Sequence, residues 1–190
     1  NKCLILGGEE FSEEIFNRIK ASETECEVYN HYGPTETTIG KLIQRIDTSK
    51  TALEVSLGSP MGNNQVYILD ASQQLCPVGV AGEICISGAG LALGYLNQEE
   101  LTKEKFIANP FKEGERLYKT GDLGRRLPDG TIGFIGRKDD QVKIRGYRVE
   151  LGEVEQAILK NGEVKEVVVL ARANQHQVKE RGEGRLASLS

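Results

Sequence analysis

Apolar residues near the start of the chain form two short runs with a helical pattern between them. The run "KCLIL" ends at Gly7 and Gly8, and the apolar residues of "SEEIFNRIKA" recur at helical spacing after Ser12, a suitable N-cap residue. The second run, "CEVYN", leads directly into "YGPTETT". This order predicts a strand, a helix and a strand. The turn then follows the carboxyl end of the second strand, where open α/β sheets bind ligands.

Beyond about residue 55 the pattern changes to short apolar runs separated by glycine or proline turns. Such spacing is typical of antiparallel strands joined by short connections. Only "NQEELTKEKF" has the character of a helix in this region. The predicted strands are "QVYILD", "GEICIS", "RLYKTGDLGRRL" and "TIGFIGR".

The remaining segment of the chain returns to mixed patterning. "QVKIRGYRV" predicts a pair of strands, "ELGEVEQAILKNG" predicts a helix that ends at Gly162, and "EVVVLA" predicts a further strand. We therefore predict a mixed α/β fold class. The end of an α/β sheet subdomain would be followed by an antiparallel β-barrel-like subdomain and by the start of a small α+β carboxyl-terminal subdomain.

The predicted domain boundary lies near residues 136–140. The segment "GRKDDQ" is charged and has no apolar anchor, which is typical of a linker, although composition alone fits an ordinary surface turn equally well. We predict two domains. Residues 1–138 would form the first, with an α/β region (residues 1–54) and a β-rich region (residues 55–138), and residues 139–190 would form the second. The family resemblance described below implies that the first is the carboxyl-terminal half of a large core, and that the second is a hinge and an incomplete small subdomain.

Composition narrows the classes of partner. The chain has 38% hydrophobic and 27% charged residues and a formal net charge of -4, so a nucleic-acid surface is not expected. No apolar run approaches the roughly 20 residues of a transmembrane helix. The four cysteines lack paired spacing and indicate reduced thiols. We expect a cytoplasmic protein with a small-molecule or protein partner, no nucleic-acid partner and no membrane partner.

Common short motifs do not explain the chain. In "GAGLALG" the glycines follow GxGxxxG and no βαβ pattern surrounds them, so a dinucleotide site is not indicated. The sequence contains no GxxxxGK[ST] phosphate loop. His31 and His176 are far apart and no GxSxG is present, so a hydrolase triad has no support.

Four longer blocks resemble one family. They are "NHYGPTETT" (30–38), "GEICISGAGLALGYL" (82–96), "YKTGDLGRRLPDG" (118–130) and "GRKDDQVKIRGYRVELGEVE" (136–155). In this order and spacing they are similar to successive core motifs of the adenylate-forming superfamily. The last block in particular resembles the adenylation domains of nonribosomal peptide synthetases (NRPS). The resemblance accounts for the chain from about residue 1 to residue 171.

This resemblance implies a reaction in two steps with ATP and Mg²⁺. The carboxylate of an amino acid attacks the α-phosphorus of ATP to give an acyl-adenylate and pyrophosphate. The phosphopantetheine thiol of a peptidyl carrier protein domain then takes the acyl group. By resemblance Glu36 would bind Mg²⁺, and Thr35 would contact the α-phosphate or the substrate carboxylate. Taken alone, "YGPTETT" favours a turn in which Thr35 caps a short helix.

The resemblance also implies a nucleotide site. Asp122 would accept hydrogen bonds from both ribose hydroxyls, since a carboxylate offers two acceptor oxygens. Arg137 would bind the ribose or phosphate side with its planar fork of donors. Tyr32 would flank adenine, although core packing is an alternative role for it. The remaining nucleotide residues would be Phe134 for stacking, Asn30 for the adenine amino edge, and Gly7 and Gly8 for close backbone approach.

Two further sets of residues follow from the same resemblance. In the second half-reaction the small subdomain would rotate about Asp139. His31 is either a polar specificity contact or an ordinary histidine at a strand end. The set that would line the amino-acid side-chain pocket is Ile5, Gly7, His31, Ile39 and Gly40. The set that would approach the access route of the thiol is Lys143, Gly146 and Arg148.

Two alternatives to amino-acid adenylation are open. An acyl- or aryl-CoA ligase of the same superfamily would use free CoA as the thiol, and a non-catalytic scaffold remnant would retain the fold without activity. The resemblance implies that the triphosphate loop, an ammonium-binding aspartate and an adenylation lysine lie in the remainder of a multidomain synthetase. We therefore expect this chain alone to be inactive.

Overall fold

The computed structural model describes residues 2–22, 25–52, 56–139, 141–144, 147–161 and 164–171. The chain divides into two compact units, residues 1–139 and 140–190. Asp139 is therefore the last residue of the first unit. No helix among the described residues is long and apolar enough to cross a membrane.

A four-stranded sheet begins the first unit. Its strands pair in the order β1 (Lys2–Gly7), β2 (Cys26–Tyr32), β3 (Leu42–Ile46) and β4 (Ser59–Pro60). β1 and β2 are parallel, so the chain between them must cross over, and helix α1 (Glu13–Ala21) lies in that crossover. The predicted strand, helix and strand are confirmed. β3 and β4, which pair antiparallel, add two strands that the sequence pattern does not predict.

Helix α1 packs its apolar residues against this sheet. Its N-cap is Ser12, as predicted, and Ser12 Oγ accepts a hydrogen bond from Ile15 N at 3.3 Å. Phe16 is only 1% exposed and packs in one cluster with Val28 of β2 and Ile46 of β3. Because a helix of nine residues is too short to be stable alone, this burial supplies most of its stability.

The second sheet of the first unit is antiparallel. Its five strands are β5 (Asn64–Leu69), β6 (Gly82–Gly88), β7 (Phe106–Ala108), β8 (Arg116–Arg126) and β9 (Ile132–Arg137). The long strand β8 pairs with β6, β7 and β9, and β5 pairs with β6. Helix α2 (Glu99–Lys105) immediately precedes β7. The predicted antiparallel region is confirmed, and the described pairings contain none that closes it into a barrel.

One apolar cluster joins the two sheets. Leu42 of β3 packs with Ile84 of β6 and Ile132 of β9, and all three side chains are fully buried. The connecting segment contributes Leu57, whose backbone N donates to Ile132 O at 2.7 Å. The α/β region and the β-rich region of the first unit therefore share this cluster, in addition to the separate cluster around Phe16. The change of sequence pattern near residue 55 thus does not divide this shared core.

The second unit contains a hairpin and a helix. β10 (Val142–Ile144) and β11 (Tyr147–Val149) pair antiparallel, and helix α3 (Leu151–Leu159) follows. These elements confirm the predicted strand pair and helix, while the predicted helix stop Gly162 lies outside the described residues. The predicted strand at 166–171 is wrong, because these residues adopt no strand. Val168 and Leu170 are 76% and 68% exposed, so their apolar pattern is not matched by burial.

We predict that Ile84→Ala lowers the free energy of unfolding by about 2 to 5 kcal/mol, because it leaves a cavity in the shared core. The matched control is Leu93→Ala, since Leu93 is an apolar residue that is 92% exposed. Its effect should stay within about 0.5 kcal/mol. Urea denaturation of the three proteins measures both values. Equal losses in the two variants would contradict the assignment of the core.

Candidate functional site

The polar centre of the first unit is an irregularity in strand β8. Glu83 of β6 pairs with Leu123, while Cys85, two residues later, pairs with Lys119, four residues earlier on β8. Over this stretch β8 therefore has two more residues than β6. The extra residues belong to the segment 120–122. A bulge of this kind redirects side chains and is common beside binding sites.

Side chains replace the ladder hydrogen bonds that the bulge removes. Thr120 Oγ1 donates to Ile84 O at 2.7 Å and accepts from Asp122 N at 3.0 Å. The Glu83 carboxylate accepts from Gly121 N at 3.1 Å. Thr120, Glu83 and Asp122 are all buried. The backbone groups of the bulge are thus satisfied by protein atoms, which fixes the direction of the Asp122 side chain.

Two donors from different strands meet at the Asp122 carboxylate. Arg137, its cross-strand partner on β9, donates from Nη1 to Asp122 Oδ1 at 2.6 Å. The Tyr32 hydroxyl at the end of β2 donates to Asp122 Oδ2. The side chains of Arg137 and Asp122 are 18% and 12% exposed, so the pair is screened from most of the solvent. The structure therefore joins three residues that lie far apart in the sequence.

The Arg137 guanidinium also binds the last residue of the first unit. Its Nε and Nη2 donate to the two carboxylate oxygens of Asp139 at 2.6 and 2.7 Å. Burial alone would lower the pKa of Arg137, but the hydrogen bond to Asp139 and the charge of Asp122 raise it. Arg137 therefore stays cationic and links Asp122 to Asp139 in one ion-pair network.

Gly121 makes this network possible. Its φ is +76°, in the left-handed region that favours glycine. A Cβ atom at this position would lie 2.7 Å from Arg137 Nη2 and 2.9 Å from Asp139 Oδ2. Any other residue would therefore push the Arg137 and Asp139 side chains away from the bulge.

Tyr32 has both a packing contact and a polar contact. Its half-buried ring packs against the core cluster that joins the sheets, and its hydroxyl binds Asp122. Burial, followed by the charge of Asp122 and the hydrogen bond to it, raises the pKa of Tyr32 well above its usual value. The core-packing role considered from the sequence is thus observed, and adenine stacking by Tyr32 stays a prediction.

Glu36 lies in a different group of side chains. A short 3₁₀ turn, Thr35–Thr37, carries it, and the residue at the N-cap of that turn is Pro34, not Thr35. Glu36 is buried, and its Oε1 accepts from the Tyr95 hydroxyl at 2.8 Å. Its backbone O accepts from Ala92 N at 2.7 Å. Thr35 itself is exposed, so the turn buries the carboxylate and leaves the hydroxyl accessible.

Tyr95, Tyr118 and Glu83 are among the members of these groups that sequence reasoning missed. Tyr95 and Tyr118 have hydroxyl oxygens 3.2 Å apart beside Glu36, and burial, followed by the hydrogen bond to Tyr95, raises the pKa of Tyr118. Glu83 supports the bulge. All three belong to the quoted blocks "GYL", "YKTGD" and "GEICIS". Their position inside those blocks was the available signal, but their contacts depend on strand register.

Three of the five predicted pocket residues come together. Gly7 pairs with His31 across β1 and β2, and a Cβ at Gly7 would lie 2.4 Å from His31 O. A Cβ at Gly40 would lie 1.2 Å from His31 Nε2. Both glycines are therefore needed to accommodate His31. Ile5, on the same face of β1 as Gly7, is 59% exposed, and Ile39 is 64% exposed.

The other predicted site residues are distributed over both units. Asn30 is buried, and it pairs with Leu6 of β1. Phe134 packs against the core cluster that joins the sheets. Gly8 has φ +93° and open space where a Cβ would lie. In the second unit Lys143 pairs with Arg148 across β10 and β11. Gly146 and the side chain of Lys143 lie outside the described residues.

The described residues contain no group of three or more His, Cys, Asp or Glu side chains that could hold a metal ion. Among the described residues, Glu36 is therefore not part of such a group and would offer a metal ion a single carboxylate. Mg²⁺ commonly binds proteins through one or two carboxylates together with substrate phosphates. The single buried carboxylate of Glu36 fits a Mg²⁺ ion that is also bound by the phosphates of a nucleotide.

Comparisons with known proteins agree on one family. The family described as AMP-binding enzyme matches residues 2–96. Among curated relatives, gramicidin S synthase 2 of Brevibacillus brevis is 51% identical over 169 residues, and bacitracin synthase 3 of Bacillus licheniformis is 50% identical over 177 residues. The matches cover 89% and 92% of this chain but 4% and 3% of those relatives. The chain thus spans a small fraction of their length.

Solved structures agree with this result. PA1221, an NRPS protein containing adenylation and PCP domains, has a TM-score of 0.73 and 33% identity, with 83% of this chain and 32% of that chain covered. NpsA-ThdA, an artificially fused adenylation-PCP di-domain NRPS from Klebsiella oxytoca, has a TM-score of 0.71 and 28% identity, with 82% and 29% covered. The mixed α/β fold of this chain matches the fold of the aligned part of these proteins.

We predict that Tyr32→Phe reduces the loss of stability at alkaline pH. The pKa of Tyr32 is raised above 10.0 in the folded protein, so its contribution is complete below pH 10 and is lost as the pH rises toward the folded-state pKa. Urea denaturation at a series of pH values above 10 measures the free energy of unfolding. The wild type should lose stability more steeply with pH than the variant, and identical slopes would contradict the prediction.

Proposed function

Because the chain belongs to the AMP-binding enzyme family, we propose that it forms a portion of an adenylation domain that activates an amino acid for nonribosomal peptide synthesis. The observation that carries the proposal is the convergence of Arg137 and Tyr32 on the Asp122 carboxylate. Two further observations support it. The chain is about 50% identical to two peptide synthases, and its fold is similar to solved adenylation-PCP proteins.

The proposed reaction has two half-reactions. First, a carboxylate oxygen of the amino acid forms a bond to the α-phosphorus of ATP, the bond from that phosphorus to pyrophosphate breaks, and pyrophosphate leaves with the electron pair. Second, the thiolate sulfur of a carrier-protein phosphopantetheine forms a bond to the acyl carbon, and AMP leaves with the electron pair of the broken C–O bond.

In this proposal Asp122 binds the ribose of ATP. Each carboxylate oxygen has two lone pairs, so Asp122 can accept hydrogen bonds from the ribose hydroxyls while Arg137 Nη1 remains bound to Oδ1. Arg137 balances the negative charge of Asp122 in its largely buried position. The ribose hydroxyls can also displace the Tyr32 hydroxyl from Oδ2. In this proposal the exposed part of the half-buried Tyr32 ring flanks adenine, with Phe134, Asn30, Gly7 and Gly8 as the other proposed nucleotide contacts.

The proposed role of Glu36 is to bind Mg²⁺ together with phosphate oxygens of ATP. When bound, Mg²⁺ would reduce the repulsion between the substrate carboxylate and the phosphates. Tyr95 donates to Glu36 at 2.8 Å and so holds the carboxylate in one orientation. Thr35 is exposed next to the buried Glu36, which suits a hydroxyl that donates to the α-phosphate or to the substrate carboxylate.

We further propose that Asp139 is the hinge between the two half-reactions. It is the last residue of the first compact unit, and Arg137 anchors its side chain. Lys143, Gly146 and Arg148 of the second unit are the proposed contacts to the carrier-bound thiol. The proposed partner is a peptidyl carrier domain of the same multidomain synthetase. Four free cysteines support a reducing, cytoplasmic location.

We predict that Asp122→Ala raises the KM for ATP in the complete adenylation enzyme. Loss of hydrogen bonds to a charged group costs about 1.5 to 3 kcal/mol, which corresponds to roughly a tenfold to hundredfold change. The matched control is Asp129→Ala, because Asp129 lies in the turn before β9 and its carboxylate binds Thr131 within that turn. Amino-acid-dependent pyrophosphate exchange measures both. An unchanged KM for ATP in Asp122→Ala would remove Asp122 from the site.

We also predict that Asp139→Pro spares adenylation more than thioester formation. Proline fixes φ and restricts the preceding residue, so it should stiffen the hinge. Asp139→Ala is the matched control, since it removes the same carboxylate from Arg137 and leaves the backbone free. Pyrophosphate exchange and loading of the carrier domain measure the two half-reactions. Equal loss of both in Asp139→Pro would contradict a hinge at this residue.

A further inference from the structure

We propose that Glu83 is a positioning residue that holds Asp122 in the orientation required for ribose binding. The proposal rests on the proposed function, since it concerns the same nucleotide site. The sequence blocks and their resemblance assign no role to Glu83. Its side chain does not contact the Asp122 carboxylate; it acts through the backbone of Gly121.

The first observation is the contact of Glu83 with the bulge. Because β8 has two residues more than β6 between Leu123 and Lys119, the backbone N–H of Gly121 has lost its ladder partner. Glu83 Oε1 accepts that N–H at 3.1 Å. Gly121 and Glu83 are both buried, so the N–H depends on Glu83 for its acceptor. An unsatisfied buried donor of this kind is costly.

The second observation is that Glu83 also binds the chain just before Asp139. Lys138 Nζ lies 3.5 Å from Glu83 Oε2, and Lys138 N donates to Gly121 O at 2.8 Å. The peptide groups on both sides of Gly121 are thus held, one by the Glu83 carboxylate and the other by Lys138. A single acid therefore connects the strand that bears Asp122 with the segment that carries Arg137 and Asp139.

A carboxylate suits this position better than any neutral side chain. It offers acceptors only, so one oxygen can take the Gly121 N–H while the other takes the Lys138 ammonium. The negative charge also attracts the Lys138 ammonium, 3.5 Å from Oε2. Glutamine would keep one acceptor for Gly121 N but would lose the charge that attracts Lys138. Alanine would lose both contacts.

Nucleotide preference is a readout that general destabilisation does not change. If Asp122 binds the ribose hydroxyls, the wild type should prefer ATP to 2′-deoxy-ATP in pyrophosphate exchange. Displacement of Asp122 should weaken this preference. A variant that merely lowers the amount of folded enzyme reduces kcat/KM for both nucleotides by the same factor and leaves their ratio unchanged.

The test compares Glu83→Ala, Glu83→Gln and Asp122→Ala in the complete enzyme, with kcat/KM measured for ATP and 2′-deoxy-ATP. We expect Glu83→Ala to lower the value for ATP about tenfold, equivalent to one hydrogen bond with a charged partner, and to lower the value for 2′-deoxy-ATP less. Glu83→Gln should retain some of the preference for ATP. Asp122→Ala should abolish it.

The matched control is Glu115→Ala. Glu115 precedes β8, accepts from Ser87 Oγ at 2.9 Å and pairs with Lys112, so it resembles Glu83 in chemistry without contacting the bulge. Its nucleotide preference should equal that of the wild type. An unchanged preference in both Glu83 variants would overturn the proposal. If Asp122→Ala retains the preference, the ribose role of Asp122 fails, and the role of Glu83 fails with it.

A second measurement does not depend on catalysis. Amide hydrogen exchange at Gly121 should be faster in Glu83→Gln than in the wild type or Glu115→Ala, because the acceptor of that N–H is weakened. This variant has almost the same volume as the wild type and keeps the measurement possible if Glu83→Ala does not fold. Equal exchange at Gly121 in all three proteins would contradict the proposed contact.

Discussion

The two surplus residues in β8 are the constraint from which the rest of the site follows. A strand paired on both sides cannot absorb extra residues without losing ladder hydrogen bonds. Here the lost bonds are replaced by Thr120 Oγ1 and by the Glu83 carboxylate. Because these replacements are buried, the bulge has one preferred geometry. That geometry brings Asp122 to Arg137 and Tyr32.

One positive charge, that of Arg137, is bound by two carboxylates in this site. Arg137 binds Asp122 and Asp139 at the same time, so the proposed ribose ligand and the proposed hinge residue depend on one guanidinium. Gly121 permits this arrangement because a Cβ at this position would displace the side chains of both Arg137 and Asp139. Glu36, by contrast, is held by Tyr95 next to Tyr118. In the proposed function, ATP is the ligand that unites the two groups, with its ribose at Asp122 and its phosphates near Glu36.

Local pattern predicted most of the fold, because periodicity and capping are local properties. The Ser12 cap and the strands of the second sheet follow directly from residue order. β3 is not predicted because "LIQRI" lacks clear alternation, and the predicted strand at 166–171 is wrong because an apolar run also needs a strand to pair with. The resemblance implied nucleotide roles for Asp122 and Arg137, which the structure brings into contact. It did not identify Glu83 or Tyr95, whose contacts arise from register across distant strands.

The most direct test of the account is a crystal structure of the complete enzyme with a non-hydrolysable aminoacyl-adenylate. The account predicts that both ribose hydroxyls lie within hydrogen-bonding distance, about 2.5 to 3.0 Å, of the Asp122 carboxylate, with Arg137 still bound to it. A ribose that lies elsewhere, while Tyr32 and Arg137 remain the only partners of the Asp122 carboxylate, would contradict it.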